Sequence, residues 1–205
     1  MVGAGLVGQL VAHCAAAGRA TTVLVDRSAE RLEGARARGV LRLHVPDDAE
    51  LVHTVEAAVG RGCITKVFLA ISGDATQTLE ACVRLLAAHA LSDRRPAIIG
   101  VGRFTARTQF SVEMGNLDLR MSARCGAGYR DEEYVHGRRE RRPIPPEHTV
   151  DDNLRRGIAL ITSGVIAPEA ISTLRASFSD APGAYSTLRA SRHLTTALFQ
   201  HRSER

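Results

Sequence analysis

Gly3-Ala4-Gly5-Leu6-Val7-Gly8 sets three glycines at the spacing G-x-G-x-x-G, and Asp26 follows Gly8 by 18 residues, near the usual ~20, at the end of an apolar run. Each residue type suits one task in holding a dinucleotide. Gly3 permits a tight turn, Gly5 lets backbone N–H groups approach a pyrophosphate, and Gly8 lets a helix pack closely on a strand. Leu6 and Val7 fall in the first turn of the helix that must follow, where unpaired N–H groups and the positive dipole end attract phosphate. The Asp26 carboxylate is of the type that accepts hydrogen bonds from a ribose diol. Arg27 is a candidate partner for a 2′-phosphate, but beside Asp26 that phosphate meets a like charge, so NAD is expected rather than NADP.

The surrounding pattern supplies the elements these residues need. Leu10, Val11, Cys14 and Ala15 continue from Gly8 at helical spacing, and Thr21–Val25 is short and β-branched, as a buried parallel strand should be. Ser28 is the expected N-cap of a helix reaching Arg38, with Gly39 beyond its end. Val40–Val45 alternates as a strand, Ala49–Val59 reads as a helix, and Val67–Ile71 is a near-continuous apolar strand. A long amphipathic helix is expected from Asp74 or Ala75 to Ala90, with Leu79, Cys82, Val83, Leu85 and Leu86 as its core stripe. Ala97–Gly102 is the next strand. The alternation predicts an α/β fold, a Rossmann-type doubly wound parallel sheet. Ser72, Gly73, Val101 and Gly102 stand at carboxyl ends of strands, where such sheets place their ligands, and are further candidates for cofactor contact.

Only Met1 and Val2 precede Gly3, whereas a strand of about five or six residues normally feeds such a turn. The first strand is therefore expected to be largely missing, and the chain reads as the C-terminal part of a longer protein. Residues 1–125 form the expected dinucleotide-binding core, 126–149 a polar surface loop, and 150–205 a C-terminal helical segment. The net charge is +5, but the arginines are scattered among acids and aromatics make up 4% of the chain, a poor pattern for nucleic acid. No apolar run approaches the ~18 residues of a membrane span. The cysteines, Cys14, Cys63, Cys82 and Cys125, have no C-x-x-C pairing, and Cys14 and Cys82 fall on apolar helix faces. That usage fits a reducing cytoplasm.

Further along, the chain resembles a known family. The glycine turn, Val23-Leu24-Val25-Asp26, the strand ending in Ser72-Gly73 and the run Ile98-Ile99-Gly100-Val101-Gly102 look like the nucleotide-binding part of medium-chain, zinc-type alcohol dehydrogenases. Gly126-Ala127-Gly128-Tyr129-Arg130-Asp131-Glu132-Glu133-Tyr134, Ile161-Thr162-Ser163-Gly164-Val165-Ile166 and Asp180-Ala181-Pro182-Gly183-Ala184-Tyr185 are similar to the subgroup found in bi-domain oxidoreductases. Ala127 departs from that subgroup's proline, and Tyr129-Arg130 reverses its Arg-Tyr order. The resemblance implies hydride transfer between a nicotinamide and a small alcohol or carbonyl substrate, with a homodimer as one admissible assembly. It also implies a catalytic half N-terminal to these residues, holding the catalytic zinc that polarises the alcohol oxygen. The eight histidines here have no spacing that replaces it, so no catalytic residue and no metal ligand is assigned within the chain. Two other readings stand beside this one. One is a non-catalytic module or subunit that senses NAD(H) or pairs with a separate catalytic chain. The other is a methyltransferase using S-adenosylmethionine, whose glycine loop and ribose-binding acid look alike.

Overall fold

A computed structural model describes the chain apart from residues 36–37, 90–94, 123, 146, 168–170, 172 and 202–205. It divides into two compact units, one of residues 1–121 with 168–205 and one of residues 122–167.

In the first unit the glycine turn opens helix α1 (Leu6–Ala17), followed by strand β1 (Thr22–Asp26), α2 (Ala29–Gly34), β2 (Val40–His44) and α3 (Asp48–Val59). Then come β3 (Lys66–Leu69), the two-residue β4 (Gly73–Asp74), α4 (Thr76–Leu86), β5 (Ala97–Gly100), β6 (Phe104–Thr105) and β7 (Asp118–Met121). β1 pairs with β2, and β5 lies between β3 and β7, every pairing parallel. Val2 bridges in parallel to both Val25 and Leu69, joining the two sets across the middle. The resulting order is β2-β1-Val2-β3-β5-β7, a Rossmann-type sheet whose central position is held, among the described residues, by Met1–Gly3. Four backbone bonds secure it: Val2 N–H to Phe68 O, Ala70 N–H to Val2 O, Val25 N–H to Met1 O and Gly3 N–H to Val25 O, all at 2.8–2.9 Å.

Burial on alternate faces of β1 explains why helices cover both sides. Leu24 packs in a cluster with Ala4, Ala12, Leu32 and Ala35 from the glycine turn, α1 and its successor α2. Val23 and Val25 point the other way, into a cluster with Leu51 and Val55 of α3 and Leu79, Cys82, Leu85 and Leu86 of α4. Successive side chains of a strand face opposite sides, so one five-residue run serves two layers. The core stripe read for α4 is buried except Val83, which packs at its margin. Cys14 is the correction: it is exposed, whereas Cys82 is buried.

Several boundaries shift for local reasons. α2 stops at Gly34 rather than Arg38, because Gly34 is a poor helix former and Ala35 is already extended. α4 begins at Thr76 because the Asp74 carboxylate accepts both the Thr76 amide (2.9 Å) and its hydroxyl (2.7 Å). It ends at Leu86 and passes into a 3-10 turn over Ala87–His89, short of the expected end at Ala90, which lies outside the described residues. β3 and β5 end two residues early, at Leu69 and Gly100, and the residues that follow turn out of the ladder.

The stretch from 168 onward is not simply helical. β8 (Thr173–Ser177) and β9 (Thr196–Gln200) pair in parallel, with α7 (Ala181–Ala190) between them in sequence. In the second unit, the stretch expected as a loop includes a short helix α5 (Glu132–Val135), capped by Asp131, and α6 (Val150–Thr162) follows, capped by Thr149. No described helix is long and apolar enough to cross a membrane.

On the N-terminal side of Val2 the gap between β1 and β3 holds a cavity of about 180 Å³, lined by Met1, Val11, Ala12, Val23, Val67 and Phe68 among others. The Met1 amino group donates to Val23 O at 2.8 Å, and burial lowers its pKa from 8.0 to about 6. The unfolded chain therefore binds more protons than the folded one between those values. For a chain with a free Met1 amine, stability is expected to be full above pH 8 and to fall by roughly 2–3 kcal/mol as pH drops to 6. Urea midpoints across that range, with an N-terminally acetylated control to remove the histidine contribution, check this. Identical pH profiles for the two forms would show that the amine is solvated.

Candidate cofactor site

The site is built where the glycine turn meets the carboxyl ends of β1 and β3. Gly3 has φ +99°, and a Cβ there would lie 2.5 Å from Ala70 O, so the turn both needs a left-handed residue and runs tight against β3. A Cβ on Gly8 would overlap Gly3 O, so α1 sits directly on the turn. At Gly5 a Cβ would meet nothing within 4 Å. Gly5 is the N-cap of α1 and no side chain caps the helix, leaving its first N–H groups open to a ligand.

Asp26 ends β1 and is 8% exposed. Its Oδ2 accepts the Ala4 N–H at 2.6 Å and its Oδ1 accepts the Ser28 N–H at 2.7 Å. The carboxylate thus holds the glycine turn and the start of α2 together, and each oxygen keeps a second lone pair for a ligand hydroxyl. Arg27 turns to Asp48, its Nη2 donating to Oδ2 at 2.6 Å. Thr78 of α4 donates its hydroxyl to the same oxygen at 2.8 Å.

These groups line one cavity of about 430 Å³, within the usual range for small-molecule sites. Of the sequence candidates, Gly3, Gly5, Asp26, Arg27 and Ser72 are brought to it. Leu6, Val7 and Gly8 stand beside it in α1 without lining it, and Gly8 serves as packing. Gly73 has φ +85° and pairs with Phe104 in the β4–β6 ladder rather than lining the cavity. Val101 and Gly102 also lie off it: both amides donate to Leu69 O, and a Cβ on Gly102 would lie 2.8 Å from Ile71 N. Sequence reading missed Arg31, Asp48, Asp74 and Thr78, all of which line the cavity. Asp47-Asp48 reads as a turn, and nothing local says that the second acid is buried. Asp74 is held below the usual carboxylate range by its bonds from the Thr76 hydroxyl and amide.

No protein-family model and no curated protein matches the chain. Solved structures do. A quinone oxidoreductase of Pseudomonas syringae pv. tomato DC3000 superposes with a TM-score of 0.61 at 15% identity, over 97% of this chain and 55% of that one. The α/β fold with parallel strands is thus shared with solved quinone oxidoreductases and alcohol dehydrogenase superfamily proteins. An Escherichia coli CFT073 alcohol dehydrogenase, solved with NADH, gives 0.60 at 17% identity over 97% of this chain and 50% of that one. The E. coli quinone oxidoreductase, solved with NADPH, gives 0.57 at 17% identity over 91% and 51%. The chain spans about half the length of the solved structures it matches. Gly5, the N-cap of α1, and Asp26 border the same cavity. Among the described residues no three His, Cys, Asp or Glu side chains cluster so as to hold a metal ion.

Proposed function

We propose that this chain binds a nicotinamide dinucleotide, NAD(H) rather than NADP(H), as the nucleotide-binding part of an oxidoreductase. The observation that supports this most is the convergence of three groups on the 430 Å³ cavity: the open glycine turn, the uncapped helix end and the buried Asp26. The α1 N–H groups and dipole hold the pyrophosphate, and Gly5 keeps the approach clear. Asp26 accepts from the adenosine ribose diol through its remaining lone pairs. Ser72, after β3, lines the same cavity and orients the dinucleotide. When bound, the nicotinamide supplies hydride transfer to or from an alcohol or carbonyl substrate. Among the described residues no catalytic group and no zinc ligand is assigned.

Titration of the 205-residue chain with NADH, followed by calorimetry, tests the reading. Asp26→Ala is expected to weaken NADH by roughly a hundredfold, the loss of about two hydrogen bonds to a charged acceptor, and NADPH far less. Equal loss of both cofactors in a variant that melts as the wild type does would remove Asp26 from the ribose.

A further inference from the structure

The Arg27–Asp48–Thr78 network borders the cavity, and none of its contacts is needed to hold a ribose diol. Its geometry is asymmetric. The Arg27 side chain is 63% exposed and the Asp48 side chain 9%. Asp48 opens α3, and its Oδ2 takes the Arg27 guanidinium at 2.6 Å and the Thr78 hydroxyl at 2.8 Å, so three separate elements meet on one carboxylate oxygen. Thr78 is itself buried, which fixes the acceptor, while Arg27 is the partner free to move.

We propose that Asp48 sets the cofactor preference of the site by holding Arg27 in an ion pair, away from any 2′-phosphate. The inference rests on the dinucleotide reading of the cavity. Arg27 directly follows the residue assigned to the ribose, so its guanidinium is the nearest cation in sequence to the 2′ position. To bind a 2′-phosphate it must leave Asp48, and a nearly buried carboxylate without its cation is costly. Asp26 adds like-charge repulsion at the same place. Preference for NADH is thus built from two acids with different tasks. Asp26 accepts from the diol and repels the phosphate; Asp48 touches neither and occupies the cation that would otherwise accept the phosphate. Arg31 also lines the cavity, with its Nε donating to Arg192 O at 3.0 Å.

Asp48→Asn tests this, because the amide oxygen still accepts from Thr78 while the charge that holds Arg27 is gone. Affinities for NADH and NADPH are measured by calorimetry on the 205-residue chain, wild type and variant, with melting temperatures to confirm the fold. The wild type is expected to favour NADH, and Asp48→Asn to move the NADPH-to-NADH affinity ratio by roughly tenfold toward NADPH, the scale of one hydrogen bond to a charged group. Adding Arg27→Met to Asp48→Asn is expected to abolish that gain. Asp48→Ser gives the same release if Asn disturbs the packing. Equal weakening of both cofactors would make Asp48 a strut and overturn the proposal, and so would a wild type that prefers NADPH. If neither dinucleotide binds the wild type, the reading of the cavity itself fails; if both bind and the ratio stays fixed, only the role of Asp48 does.

Discussion

Gly8→Ala is expected to lower the melting temperature by roughly 10 °C and to abolish NADH binding with it. The added methyl overlaps Gly3 O, a backbone atom with little room to yield. The Gly3 amide is bonded to Val25 O at 2.8 Å, and the next amide, Ala4, to the Asp26 carboxylate at 2.6 Å. Relief requires lifting α1 from the turn or pulling the turn from β1, and either opens the cluster around Ala4, Ala12 and Leu24. Overpacking against backbone costs about 3 kcal/mol, and a chain of this size loses about 2–4 °C per kcal/mol. Differential scanning calorimetry reads the shift. A variant that melts within a degree or two of wild type would mean that α1 does not rest on Gly3.

Gly5→Val, three residues away, is expected to have the opposite signature. Gly5 has φ −70° and ψ −179°, an extended conformation open to any L residue, and a Cβ there meets nothing within 4 Å. The fold should therefore keep its stability within about 0.5 kcal/mol. The isopropyl group fills the mouth of the turn, where a pyrophosphate must come close to the first N–H groups of α1. NADH affinity should fall by roughly a hundredfold, about 2.7 kcal/mol. Calorimetric titration beside a melting curve separates the two effects. Unchanged NADH affinity in a folded Gly5→Val protein would show that the dinucleotide does not cross this turn. Together the pair splits the glycine motif into a packing residue and a clearance residue, which the spacing G-x-G-x-x-G alone treats alike.

Most of the first unit's order was legible because parallel strands buried on both faces leave a plain mark. Val23-Leu24-Val25 and Val67-Phe68-Leu69 are uninterrupted apolar runs, and the helices between them carry their apolar residues at a helical period. Element ends were less legible. They depend on single contacts, such as the Asp74 carboxylate on the Thr76 amide, that leave no periodic trace. The two strands after residue 170 were missed for a related reason: Thr173–Ser177 and Thr196–Gln200 are short, half-exposed and, among the described residues, pair with each other, so no long apolar run announces them.

What the sequence determined by itself was the glycine turn, the acid that follows it and the alternation of strand and helix. These are local, because each is set by residue type at a short spacing. Tertiary structure decided which candidates share a cavity, and it left Gly73, Val101 and Gly102 outside it while bringing in Asp48 and Thr78. It decided that Val2 bridges β1 to β3, and that Arg27 pairs with an acid 21 residues away rather than standing free beside Asp26. The physical reason is the same in each case. Burial and pairing belong to side chains that meet only after the sheet has formed, and a residue's own neighbours in sequence carry no record of that meeting.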